Sequence, residues 1–394
     1  PNAICLVQSS LFKIRKKRRM STSNPIKIVF DVYHLYHLPQ FDPVIDLLKS
    51  DDKFEIFLST SCRVKQEEKV LTEKILSQKG LQVISEKDEK KRSSSIQGLD
   101  PDVFICGWSR YDIDHFVTNK TLVGMIYHGI GVKPSYWRDN HERLDLRFVE
   151  GPYRIDQLRS HDIETDLVLT GFIKLDPLFN GSGIDSEAIK RELGLDKNKK
   201  TILFAPTFYP SSIEQIGLRL GQFTKDYNVI LKPHLWTYFM DKFGEVDLKS
   251  QRNLFYELTN KYDHIKLLAP EYYNIIPFYQ ISDLLLTEAS STIYEMIALE
   301  KPVIVNRFFK LKLSHWLFRY RLYQKRLNRE MNQDIANFCF EAKRPKDLPE
   351  IIETALKNNH TQLDAVKRYQ RKMLYKLDGK AAERARDAIL SRIS

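Results

Sequence analysis

Paired cysteines are missing: Cys5, Cys62, Cys106 and Cys339 lie far apart with no CxxC spacing, which excludes a zinc ribbon and a disulfide framework. A reducing, cytosolic setting fits that scarcity. Long apolar runs are missing too. No stretch approaches the roughly eighteen residues that span a bilayer, and the basic N-terminus lacks the apolar core and cleavage site of a signal peptide. The expectation is a cytoplasmic chain, at most peripheral on the inner face of the cell membrane. Neither repeats nor low-complexity tracts occur, which excludes solenoids and a largely disordered chain.

What is present is an ordinary globular composition, 42% hydrophobic and 29% charged, over 394 residues. That length exceeds one comfortable core and predicts two lobes with a cleft between them. The net charge of +11 is concentrated in two places. Residues 1–20 hold six Lys or Arg and no acid, and Arg307 to Arg329 hold eight and no acid. Removing those fourteen charges leaves −3, so the body is not basic and no nucleic-acid partner is expected; the two patches imply local contact with something anionic. Residues 1–19 precede Met20 and are read as an upstream extension, with 1–23 disordered.

From residue 26 the chain alternates short apolar runs with helical patterns, which reads as α/β with parallel sheets. "IKIVFDVY", "FEIFLSTS", "LQVIS", "PDVFICGW", "TLVGMIYHG" and "LRFVEGP" are expected strands. "QFDPVIDLLKS" is an expected helix capped by Asp42 with Pro43 in its first turn. At "NGSGID" the pattern resets. A capped helix, "DSEAIKRELGL", then precedes strands "KTILFAPTFYP", "YNVILKPHLW", "HIKLLA", "DLLLTEAS" and "KPVIVNRF". The expected organisation is two Rossmann-like doubly wound domains, 24–182 and 183–360, facing a central cleft, with 361–394 crossing back to the first.

Such domains bind ligands beyond the carboxyl ends of their strands, and the reactive residues fall there. In "YHGIGVK", Gly129 and Gly131 permit close backbone approach, His128 can exchange a proton near neutrality, and Lys133 can meet an anion. The bland alternative is a turn with a structural histidine. "LKPHLW" sets Lys232 and His234 after a strand, suited to phosphate oxygens. In "LLLTEASSTIYEMIALE", Thr287, Glu288, Ser290 and Ser291 form a polar turn before a helix whose free N–H groups favour phosphate, although a serine there can simply cap the helix. Glu288 and Glu295 lie two helical turns apart if one helix holds both. His34 and His37 follow the first strand and open toward the cleft. As a metal pair they lack a third ligand, so no metal site is expected.

In this order and spacing, these stretches resemble the CDP-glycerol glycerophosphotransferase family, enzymes that prime and polymerise teichoic acid and related capsule polymers. The resemblance rests on His128, Gly129 and Lys133; on "GFIKLDPLF" with Gly171 and Asp176; on Ala205, Pro206 and Thr207; on His234; and on "SDLLLTEASS" followed by Lys301 and Pro302. It covers about residues 100–305. Glu288, Ala289 and Glu295 stand where the family pattern has aspartate, tyrosine and aspartate, and Ile173 or Lys174 where it has proline.

The resemblance implies a GT-B fold and transfer of glycerol phosphate, or another polyol phosphate, from a CDP-activated donor to a hydroxyl of a lipid-linked or glycan acceptor, with no cofactor. His128 and His234 become the expected catalytic pair. Thr207, Lys232, Thr287, Glu288, Ser290, Ser291 and Glu295 are expected at the donor, and His34, His37, Gly129 and Lys133 at the acceptor. Residues 307–329 interleave cations with aromatics and are expected to lie on an anionic membrane surface. The rivals are a GT-B glycosyltransferase or 2-epimerase using a nucleotide sugar, and a non-catalytic protein that binds anionic polymer.

Overall fold

The computed structural model describes residues 24–131, 134–138 and 140–393. Lys133 and the basic extension therefore lie outside the described residues.

Seven strands form the first sheet: β1 (Ile26–Val32), β2 (Phe54–Thr60), β3 (Gln82–Ile84), β4 (Val103–Cys106), β5 (Leu122–Ile126), β6 (Leu146–Val149) and β7 (Asp166–Leu169). Their order is β3-β2-β1-β4-β5-β6-β7, all parallel. The next strands are β8 (Thr201–Ala205), β9 (Asn228–Leu231), a short hairpin of β10 (Lys242–Phe243) and β11 (Val246–Asp247), β12 (Ile265–Leu267), β13 (Leu284–Thr287), β14 (Val303–Asn306) and β15 (Phe340–Ala342). Without the hairpin, the second sheet runs β12-β9-β8-β13-β14-β15, also parallel. Both sheets thus have the doubly wound order, reversing between β1 and β4 in one and between β8 and β13 in the other, where ligand crevices form.

Central strands such as "IKIVFDV" and "TILFA" are apolar along most of their length because helices cover both sheet faces. The edge strands β7 and β15 are only partly buried. The sequence pattern did not single them out, nor the polar helix Glu89–Gly98.

Two local expectations change. The first helix runs Leu38–Lys49, with Pro39 in its first turn and Pro43 inside it. Asp42 is not its cap; its carboxylate pairs with Lys79 at 2.7 Å and accepts from the Tyr273 hydroxyl of the second lobe at 3.0 Å. Glu288 and Glu295 do not share a helix, which spans only Thr292–Ile297.

The helix Ala381–Ile393 packs beside Leu38–Lys49 in the first lobe's core through Ala385, Ile389 and Ile393. Its N-terminus is held by Asp176, whose two carboxylate oxygens accept from Ala381 N at 3.0 Å and Ala382 N at 2.7 Å. Gly171 has φ +91°, and a side chain there would run into the Tyr375 carbonyl. The "GFIKLDPLF" stretch therefore secures the returning chain.

Candidate functional site

The strand ends of the two lobes enclose a cavity of about 310 Å³. From the first lobe, Tyr36, Gln40, Trp108, His128, Tyr136 and Lys174 reach it. The second lobe supplies Thr207, Phe208, Lys232, His234, Trp236 and the stretch Ser290, Ser291 and Thr292 with Glu295. Both expected catalytic histidines therefore open onto one cavity from opposite lobes.

His128 leaves β5 on a loop pinned at three points. Its Nδ1 lies 3.1 Å from the Gly107 carbonyl, which can only accept. That contact makes Nδ1 the protonated nitrogen and assigns the lone pair to Nε2. Gln40 donates to the His128 carbonyl at 2.9 Å. Arg154 donates to the Gly129 carbonyl at 3.1 Å while its guanidinium pairs with Glu150 at 2.8 Å and packs on the rings of Tyr127 and Tyr136. Gly129 itself sits where the lobes meet, since a Cβ there would lie 3.2 Å from Ser291 Oγ and overlap the Tyr136 hydroxyl. His234 follows β9; its Nδ1 accepts from Trp236 N at 3.2 Å, and its ring packs on Phe208.

The donor-side residues divide. Lys232 faces the cavity, and burial, then the neighbouring Lys174, pulls its ammonium down to about 7. Lys174, from the first lobe, contacts Glu295 Oε2 at 2.6 Å, and the Tyr279 hydroxyl donates to the same oxygen at 3.0 Å. Glu295 Oε1 is buried and has no partner among the described residues. A carboxylate oxygen left in that state favours a ligand hydroxyl that would complete it. Ser290 and Ser291 line the cavity, and Ser290 Oγ accepts from Thr292 N at a long 3.4 Å. The six-residue helix behind them has a small dipole, so anion binding there rests on side chains.

Other expected residues turn out to lie elsewhere. Glu288 is fully buried, and its carboxylate accepts from Thr207 N at 2.7 Å, Ser212 N at 2.9 Å and the Ser212 hydroxyl. Burial pushes it up to about 7 despite these bonds. It braces the Thr207–Ser212 loop and does not reach the cavity. Thr287 is consumed donating to the Ala205 carbonyl at 2.7 Å, tying β13 to β8. Thr207 lines the cavity through the loop that Glu288 braces.

His34 and His37 stand behind the wall. His34 Nδ1 contacts Glu68 at 2.9 Å. His37 is buried with neither nitrogen partnered among the described residues, and burial, then His128 and His34, holds its pKa well below the usual histidine range. Aromatic rings take the cavity position instead, chiefly Tyr36 and Trp108. Lys174, Tyr36 and the two rim arginines Arg110 and Arg326 also line it and were not singled out from sequence. Only the unusual lysine in "GFIKLDPLF" carried a signal. Among the described residues, the one trio with metal-ligand spacing is Asp112, Asp114 and His141, away from this cavity.

Comparison with known proteins adds to this geometry. The family model described as CDP-Glycerol:Poly(glycerophosphate) glycerophosphotransferase matches residues 138–391. The teichoic acid ribitol-phosphate primase of Bacillus spizizenii is 27% identical over 208 residues, 50% of this chain and 45% of that protein. The teichoic acid poly(glycerol phosphate) polymerase of the same organism is 28% identical over 127 residues, 29% of this chain and 28% of that one. The chain thus spans less than half the length of the curated relatives it matches.

Among solved structures, the wall teichoic acid polymerase TagF aligns with a TM-score of 0.64 at 16% identity, covering 94% of this chain and 90% of that one. The UDP-GlcNAc 2-epimerase from Neisseria meningitidis aligns with a TM-score of 0.59 at 14% identity, covering 93% and 100%. Identities this low establish the two-lobed GT-B-like fold. The family model, matched over well more than half of the chain, establishes more: this chain belongs to the CDP-glycerol:poly(glycerophosphate) glycerophosphotransferase family.

Proposed function

We propose that this protein transfers a polyol phosphate, glycerol phosphate first among them, from a CDP-activated donor to an acceptor hydroxyl in teichoic-acid-type polymer synthesis. The observation that carries the reading is the convergence of His128 and His234, from opposite lobes, on one cavity that also holds a buried lysine and a half-satisfied glutamate. His128 Nε2 takes the acceptor's proton as its oxygen attacks phosphorus. Lys232, His234, Ser290 and Ser291 receive the diphosphate, whose charge grows on the departing CMP. Glu295 Oε1 accepts from a ribose hydroxyl. Catalysis is then chiefly positioning and electrostatics.

A panel of CDP-alcohols assayed for CMP tests this. CMP release from CDP-glycerol or CDP-ribitol that depends on acceptor is the expected result. Release of UDP from a nucleotide sugar, or its epimerisation, would replace the reading with the rival that the 2-epimerase fold likeness keeps in view.

The acceptor is proposed to be lipid-linked, reached from an anionic membrane surface. Helices Leu313–Leu317 and Arg319–Lys325 expose Leu313 (68%) and Trp316 (61%), together with Leu317, Phe318 and Tyr320, among Lys310, Lys312, Arg319 and Arg321. Apolar side chains ringed by cations suit a headgroup layer, and no helix among the described residues is long and apolar enough to cross a membrane. Co-sedimentation with vesicles containing phosphatidylglycerol should weaken when Trp316 and Phe318 become serine. Binding that ignores those changes would remove the membrane assignment.

A further inference from the structure

One tyrosine neighbours both catalytic imidazoles. The Tyr36 ring lies 5.4 Å from His128 and 5.5 Å from His234, centroid to centroid. It belongs to the short turn Leu35–His37 after β1. That turn is fixed by Glu68, which accepts from Leu35 N at 3.2 Å and contacts His34 Nδ1 at 2.9 Å. The His34 ring then stacks on Tyr36 at 4.9 Å with 14° between planes, and His37 meets it edge-on at 4.6 Å. Thus the two histidines that sequence reading expected at the acceptor hold the tyrosine that reaches the cavity.

The half-buried Tyr36 side chain reaches the cavity with its hydroxyl uncommitted to any described residue, whereas Tyr127 donates to the Tyr136 carbonyl and Tyr279 to Glu295. A phenol on a cavity wall can donate to a ligand that enters. In the proposed reaction, the transferring phosphorus must lie between the base on one side and the donor-holding imidazole on the other, and this ring borders both.

We infer, on the basis of the proposed function, that Tyr36 is a further catalytic residue, donating its phenolic hydrogen bond to a non-bridging oxygen of the phosphoryl group in flight. The acceptor oxygen bonds to phosphorus and the bond from phosphorus to the bridging oxygen of CMP breaks. The acceptor's proton goes to His128 Nε2; Tyr36 keeps its own. Burial, then the charge of Glu68, raises the phenol's pKa well above its ordinary value, so it stays a donor at every working pH.

Tyr36→Phe keeps the ring and removes only the donor, which makes it the deciding variant. Loss of one donor to a developing oxyanion typically costs about 10²-fold in rate. The expected result is a fall of about that size in kcat for CMP release from CDP-glycerol, with the calorimetric Kd for CDP-glycerol and Tm unchanged. Tyr36→Leu, which also removes the ring beside both imidazoles, should lose more and melt earlier. Full kcat in Tyr36→Phe, or a loss confined to donor affinity, would overturn the assignment. A wild-type protein that releases no CMP from any CDP-alcohol would instead overturn the functional reading beneath it, so the two failures are told apart.

Discussion

The two lobes share a strand order and present the same crevice, yet they furnish it differently. At the carboxyl ends of the first sheet stand rings: Tyr36, Trp108, His128 and Tyr136 reach the cavity, with His34 and His37 behind them. At the corresponding ends of the second sheet the rings of Phe208, His234 and Trp236 are joined by what the first lacks there, a run of hydroxyls beside a buried ammonium and a carboxylate, in Ser290, Ser291, Thr292, Lys232 and Glu295. Equal topology therefore dictates where a ligand sits and says nothing of what each half does to it. In the proposed reaction the first lobe handles the proton and the second holds the anion, and that division can be broken residue by residue.

The sharpest break is His128→Ala. Losing a positioned base costs on the order of 10³-fold, and kcat should fall by about that factor while the Kd for CDP-glycerol stays within about threefold. A variant with full turnover would end the division.

Lys174 crosses the boundary, since it is a first-lobe residue clamping a second-lobe carboxylate. Breaking a buried pair from one side strands the other charge and costs roughly 3 kcal/mol. Lys174→Met should therefore lower denaturant stability by about that amount, and adding Glu295→Gln should restore part of it. Unchanged stability in the single variant would mean that the clamp is idle.

Lys232 tests the anion-holding half through pH. Its pKa is lowered, to about 7, so it is charged below that value and neutral above it. As pH rises through about 7, kcat/KM for the CDP donor should fall about tenfold per unit, the behaviour of one essential protonated group in the free enzyme. Lys232→Met should be weak throughout and lack this limb. An identical pH profile in the variant would assign the titration to another group.

The smallest effect is expected far from the chemistry. Asp176→Ala removes the cap from helix Ala381–Ile393 and should cost about 1 kcal/mol, read as a lower urea midpoint with kcat intact. A matching loss of kcat would place Asp176 in the reaction instead.

Much of this was legible in the sequence because parallel strands buried on both faces appear as unbroken apolar runs, and the residues after them mark the cleft. "TILFA", "NVIL" and "LLLT" identified the second sheet, and Lys232, His234, Ser290 and Ser291 followed from their exits, as His128 did from "LVGMI" in the first sheet. The edge strand Asp166–Leu169 is half exposed and lacks that signature. The site's remaining residues depended on depth. Glu288 looks like a ligand in one dimension, yet the Thr207–Ser212 loop folds over it and takes both of its oxygens. "HLYH" draws attention to its histidines, but the turn carries Tyr36 to the cavity and leaves His37 enclosed. Lys174 meets Glu295 across 121 positions of chain, a distance no local pattern spans.

The helix Ala381–Ile393, seated beside Leu38–Lys49, also fixes an order of events during synthesis. The first lobe cannot finish its own interior until some two hundred later residues, those of the entire second lobe, have been made. A growing chain must hold an unsealed N-terminal sheet for that whole interval, with apolar surface open to chaperones and to aggregation. A chain stopped at residue 360 should accordingly lose protease resistance first in residues 26–60, at the end opposite the cut.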